Sequence, residues 1–195
     1  MMNITRSLLT LSALSFSLLS HGADNMPSHD YLNKTILPTI GNADTGNDWR
    51  VINDSVMGGV SSGSVQYQGQ QVVFSGNVST ENNGGFSSIY KSSGRLAEHV
   101  KGGKVTLLGD GNYYQLRLRT QVAGKELTYK IGFSSEKDKQ MTVYFKLDDF
   151  EASFRGRLIK GAPKIKANTI SYVGFLILSK QTKTFSLSVS NIEFY

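Results

Sequence analysis

A handful of stretches in this 195-residue chain combine residue types that can do chemistry. Gly59-Val60-Ser61-Ser62-Gly63 has the G-x-S-x-G spacing of a serine nucleophile elbow. That motif works where a strand turns sharply into a helix and exposes its serine. Here it runs into Val65 and Tyr67, residues of a strand, so catalysis by Ser61 is not expected. The three histidines are His21, His29 and His99, and none stands beside Asp, Glu or another His at metal-ligand spacing. Asp148 and Asp149 are sequence neighbours and would face opposite ways on a strand, whereas glycoside cleavage needs two converging carboxyls. Asp54 and Asp110 lie in glycine-rich loops whose carbonyls suit a hard cation. The spacing matches no EF-hand loop, and turn formation is the ordinary work of Asp, so a structural calcium is only the alternative. No catalytic residue and no cofactor are expected.

Binding is better represented. Tyr113, Gln115, Arg117 and Arg119 alternate with Tyr114, Leu116 and Leu118, the period of a strand with one buried and one polar face. Aromatic and planar polar side chains on a sheet suit a carbohydrate surface. The plain alternative is a solvated outer face, which any half-buried strand needs. Gly109-Asp110-Gly111 falls short of a dinucleotide fingerprint and has no helix after it to hold a phosphate. The net charge is +6 and unevenly spread: residues 23–100 hold four basic and seven acidic residues, residues 101–195 sixteen and eight. Arg155-Gly156-Arg157 with Lys160, Lys164 and Lys166 forms a basic loop. An anionic envelope surface is a partner that charge would favour. No stacking motif accompanies the loop, so nucleic acid is not expected.

The elements that must position these residues are strands. Apolar residues make up 39% of the chain, and twenty glycines with many Val, Ile, Tyr and Phe point to β structure rich in turns. An edge strand is expected around Thr35–Ile40. Ser64–Tyr67 and Gln71–Val78 read as a hairpin across Gln68-Gly69-Gln70. Strands follow at Ser87–Tyr90, Lys104–Leu108, Tyr113–Arg119, Leu127–Phe133, Met141–Leu147, Ile170–Leu178, the last central, and from Phe185 to the end. The one helix-like piece is Leu96–Val100. Nine or ten short strands with almost no helix make an all-β, two-sheet jelly-roll sandwich.

Between Trp49, the only tryptophan, and the first hairpin lies Asn53 to Gly63, NDSVMGGVSSG. Its Gly-Gly pair permits positive φ, and its Asn, Asp and Ser side chains can bond their own backbone. It reads as a tight structural loop held against the Trp49 indole.

Ahead of this domain, Met1 to Arg6 carries one positive charge, Leu8 to Leu19 is apolar, and Ser20-His21-Gly22 offers small residues for cleavage near Ala23. That order is a secretory signal, too short for a comfortable membrane span. The expected organisation is a signal peptide over residues 1–22, a flexible segment over 23–48 and the sandwich over 49–195. The mature protein is then periplasmic or secreted. The chain has no cysteine, so disulfides, thiol catalysis and Cys-zinc sites are excluded.

Trp49 with NDSVMGGVSSG, FSGNVSTENNGGFSSIY from Phe74, GDGNYYQLRLR from Gly109 and DDFEASFRGR from Asp148 together resemble the complex I intermediate-associated protein 30 family. The resemblance runs from about Trp49 to Tyr195. It implies a galactose-binding-domain-like jelly roll and a non-enzymatic role in assembly, with a protein partner. The motif positions it carries are Trp49, Asn53, Asp54, Met57, Gly58, Gly59, Ser61, Asn83, Gly84, Gly85, Phe86, Gly109, Asp110, Gly111, Arg155 and Gly156. Lys146 stands where the family usually has proline, and Met141 near where a tryptophan is common; an exported copy would lie across the membrane from the hydrophilic arm of complex I. Two readings follow: an exported assembly or chaperone-like protein binder, and a carbohydrate-binding module for envelope glycans using Tyr113, Gln115, Arg117 and Arg119. A hydrolase is the third and remotest.

Overall fold

The computed structural model describes residues 34–37, 49–122, 124–154 and 156–195. The expected signal peptide, most of the segment before Trp49, and Arg155 lie outside the described residues. Among the described residues thirteen strands form: β1 (Thr35–Leu37), β2 (Arg50–Asn53), β3 (Ser62–Gln68), β4 (Gln71–Val78), β5 (Phe86–Ser92), β6 (Gly102–Leu108), β7 (Tyr113–Val122), β8 (Lys125–Ser134), β9 (Gln140–Lys146), β10 (Glu151–Phe154), β11 (Arg157–Leu158), β12 (Ile170–Leu178) and β13 (Lys183–Phe194).

They make two antiparallel sheets. One runs β3-β4-β13-β6-β9, with β1 also paired to β13; the other runs β11-β10-β8-β7-β12-β5-β2. The chain is an all-β jelly-roll sandwich, as its sequence leads one to expect. β12 is interior, between β7 and β5. The β3–β4 hairpin turns at Gly69 and Gln70, with Gly69 at φ +57°.

Two expectations are corrected. No helix forms at Leu96–Val100. Leu96 and Val100 are both buried, and the segment holds one turn bond, from the Val100 N–H to the Ala97 carbonyl. Packing two apolar plugs between the sheets, rather than helix propensity, decides its shape. The strand count exceeds nine or ten because β2, β10 and β11 have two to four residues each, too few to show a period.

The core lies between the sheets. Tyr114, Leu116 and Leu118 of β7 join Val173, Phe175 and Ile177 of β12 and Ile89 of β5. Opposite them are Val72 and Phe74 of β4, Leu107 of β6 and Phe185, Leu187 and Val189 of β13. Phe74 meets Phe185 edge-on at 4.7 Å between ring centroids. Each such side chain, fully buried, contributes about 1.5–3 kcal/mol. Burying one side of the interior strands fixes their register and therefore which residues face outward.

Candidate functional site: an outer-face cleft

The outward side of the seven-stranded sheet carries a cleft of about 630 Å³. Its lining comes from five adjacent strands. β2 gives Ile52; β5 gives Phe86, Ser88 and Tyr90; β12 gives Leu176 and Leu178; β7 gives Gln115, Arg117 and Arg119; β8 gives Lys130. Met57 and Gly156 reach in from loops. A smaller depression of about 210 Å³ adjoins it, shares Gln115 and Lys130, and adds Tyr113, Gly132, Asp149 and Glu151.

The floor is shaped by two glycines. A Cβ on Gly174 would lie 2.4 Å from Tyr90 Cδ1, so the Tyr90 ring rests flat on β12. A Cβ on Gly132 would overlap the Tyr113 phenol, so that ring lies across β8. The Arg119 guanidinium stacks on Tyr90, 3.7 Å from the ring centroid, and pairs with Glu126 at 3.6 Å. Arg117 donates through Nε to Gln115 Oε1 (3.2 Å) and through Nη1 to the Tyr90 hydroxyl (3.3 Å). The floor is thus half apolar, near Met57, and half cationic, near Arg117 and Lys130.

The rim at the Met57 end is held by a clasp, and its centre is Asp54. This carboxylate is fully buried. Its Oδ1 accepts the Ser61 N–H at 2.9 Å. Its Oδ2 accepts the Ser61 hydroxyl at 2.5 Å and the N–H groups of Gly85 (2.7 Å) and Phe86 (3.2 Å). Burial alone would raise the Asp54 pKa; the bonds from Ser61, Gly85 and Phe86 outweigh it and hold the group below the ordinary carboxylate value. The glycines make room. A Cβ on Gly59 or Gly84 would lie 2.4 or 2.6 Å from the Asp54 carboxylate, and Gly58 has φ +89°. Asn53 adds a second tie: its Oδ1 accepts from the Gly63 N–H and the Ser87 hydroxyl, and its Nδ2 donates to the Gly63 carbonyl. Asn82 Nδ2 donates to the Gly58 carbonyl. The segments 53–63 and 81–86 therefore form a single object.

A second carboxylate hub, half-buried, sits at the same end of the sandwich. Asp110 accepts from the Ser186 N–H (2.7 Å), the Asn112 N–H and side-chain amide (2.9 and 2.6 Å) and the Tyr114 hydroxyl (2.9 Å). Burial opposes its ionisation, and these bonds lower its pKa nonetheless. Tyr114 is pushed up, by burial and then by the Asp110 charge.

The expected site residues sort accordingly. Met57, Phe86, Gln115 and Arg117 line the cleft, with Arg119 and Gly156. Tyr113 borders the smaller depression. Asp54, Gly58, Gly59, Ser61, Gly84 and Gly85, with Asn53, build the clasp, where Asn83 occupies the left-handed region at φ +59°. Asp110, with Gly109 and Gly111, ties the sheets. Trp49 is the main correction: its buried indole packs on Phe175 at 6.0 Å, and the loop closes around Asp54 instead. A buried carboxylate can recruit several N–H donors from two loops at once, which an indole cannot. Ser61 is no free nucleophile, since its hydroxyl is donated to Asp54 and is buried. The lone pairs of Asp54 and Asp110 are taken by N–H and O–H donors. Among the described residues no three Asp, Glu or His side chains gather as a metal site. Sequence reasoning missed Ile52, Ser88, Tyr90, Lys130, Leu176 and Leu178. The alternation Phe86, Ser88, Tyr90 against the buried Ile89 was the signal available for β5.

The model of the complex I intermediate-associated protein 30 family matches residues 39–189. Among solved structures, the chain is similar to a family 11 carbohydrate-binding module from Clostridium thermocellum in complex with a β-1,3-1,4-mixed-linked tetrasaccharide. That match has 13% identity and a TM-score of 0.61, covering 83% of this chain and 94% of that one. The family 11 module of the cellulosomal cellulase Lic26A-Cel5E from Clostridium thermocellum gives 11% and 0.61, over 83% and 93%. An agarase gives 11% and 0.52, over 82% of this chain and 24% of that one. At such identities the likeness is one of fold. No curated protein matches the sequence.

Proposed function

We propose that this chain, which belongs to the complex I intermediate-associated protein 30 family, is an exported, non-catalytic binding module that holds a glycan in the outer-face cleft. The single observation that carries the reading is the cleft itself. Phe86, Leu176, Leu178 and Met57 offer a surface for the C–H faces of sugar rings, and Gln115, Arg117 and Arg119 offer hydrogen-bond partners for hydroxyls. Each direct hydrogen bond contributes about 0.5–1.5 kcal/mol. The expected leader over residues 1–22 supports an envelope or extracellular setting, where glycans are abundant.

A glycan array probed with the purified protein tests this. A defined glycan is expected to bind, with affinity reduced at least tenfold by Arg117→Ala or Tyr113→Ala while the melting temperature stays put. The second reading is an assembly factor that docks a protein partner. It is favoured by the exposed Val56, Met57 and Leu178 at the rim, 72%, 69% and 58% accessible. A stoichiometric protein partner recovered from envelope membranes, with no glycan bound, would decide for it.

A further inference from the structure

We infer that the ligand of this cleft is an acidic glycan, whose carboxylate is held between Arg117 and Lys130. The inference rests on the glycan reading above and adds the charge. Arg117 of β7 and Lys130 of β8 are direct partners in the ladder and face the same side. Like charges directly opposite one another destabilise a sheet. Among the described residues neither cation lies within 4.0 Å of a carboxylate. Glu151 stands opposite Lys130 on β10, yet no ion pair joins them. The contrast is Arg119, two residues along the same strand, which is stacked on Tyr90 and paired with Glu126.

Arg117 is also fixed in place. Its two hydrogen bonds go to neutral acceptors, Gln115 and Tyr90, so its orientation is set while its charge stays whole. Arg117 lines the cleft, and its remaining N–H donors have no partner among the described residues, which leaves them for a planar carboxylate. Asp149 and Glu151 line the smaller depression beyond Lys130. The anion therefore belongs on the Arg117 side, above the Tyr90 floor. A neutral sugar would bury two cations without neutralising them. A uronic-acid residue, with an apolar ring face for Leu176 and Phe86 and one carboxylate for Arg117 and Lys130, satisfies both halves of the cleft.

Affinity electrophoresis and calorimetry of the full chain against polygalacturonate, alginate and carboxyl-reduced polygalacturonate test this. The expected result is at least tenfold tighter binding of one polyuronate than of the carboxyl-reduced polymer. That preference should fall at least fivefold in Arg117→Gln and in Lys130→Gln. The Lys130 side chain makes no hydrogen bond or ion pair among the described residues, so its variant keeps the fold in play if Arg117→Gln does not fold. Lys160→Gln, in the exposed basic loop, should bind like the parent. Equal binding of reduced and acidic polymers, or unchanged binding in both cleft variants, overturns the acidic ligand and leaves the glycan reading standing. An equal loss in Lys160→Gln means diffuse charge attraction and also overturns it. Binding of no polymer, here or on the glycan array, overturns both.

Discussion

A buried carboxylate without a cation must be stabilised by hydrogen bonds, and Asp54 is: among the described residues its partners are the Ser61 hydroxyl and three backbone N–H groups. Asp54→Asn keeps the size but turns one acceptor oxygen into an NH₂ that must face an N–H or O–H donor. It should cost about 2–4 kcal/mol, read as a lower urea midpoint at pH 7 with an unchanged m-value. A variant that melts like the parent would remove Asp54 from the centre of the clasp. Little of this was legible in the sequence. An Asp beside Ser, Val, Met and two glycines reads as a turn former, because nothing local says that residues 31 and 32 positions on, Gly85 and Phe86, will bring their N–H groups to it. The glycines were legible as conformational, but only half correctly. Gly58 needs its positive φ, whereas Gly59 is small because Asp54 stands against it.

At the scale of elements, strands long enough to show a period could be read directly. β7 places Tyr114, Leu116 and Leu118 inward and Tyr113, Gln115, Arg117 and Arg119 outward, because burying one face leaves the other no choice. The same logic applied to β5, β8 and β12 yields Tyr90, Lys130 and Leu178, but which strands neighbour β7 is a matter of topology that period alone does not contain. Two glycines within these strands separate packing from function. At Gly174 an added Cβ meets the Ile89 carbonyl oxygen at 2.3 Å as well as the Tyr90 ring, so backbone must move. Gly174→Ala should lose about 1–3 kcal/mol. At Gly132 the obstacle is the end of the half-exposed Tyr113 side chain, which can swing away. Gly132→Ala should keep the parent's denaturation midpoint yet weaken ligand binding about as Tyr113→Ala does, because it lifts the same ring off the floor. Similar loss of stability in both glycine variants would contradict this division.

At the scale of the whole molecule, the connections β2–β3, β4–β5, β6–β7, β8–β9 and β12–β13 all pass from one sheet to the other, and the registers bring them to one end of the sandwich. Both carboxylate hubs stand there, Asp54 buried and Asp110 half-buried. Asp54 joins the β2–β3 connection to the start of β5, and Asp110 joins the β6–β7 connection to Ser186 of β13. That end is therefore secured by ionised groups, which makes stability depend on pH in a definite direction. Both groups are lowered in the folded protein, so their contribution is fully present above the unfolded carboxyl value, about 3.9, and is lost as pH falls through the lowered folded value. Tyr114 works in the opposite sense: its pKa is raised, so its contribution is full below about pH 10 and is lost above that as the folded group finally ionises. Urea midpoints should hold steady from about pH 5 to 9 and fall on both sides. The combined Asp54→Asn, Asp110→Asn variant should start lower at pH 7 and decline less steeply below pH 4 than the parent. Tyr114→Phe should flatten only the alkaline limb. If the double variant loses stability in acid as steeply as the parent, other carboxylates govern the acid limb and this end of the sandwich is not where acid acts first.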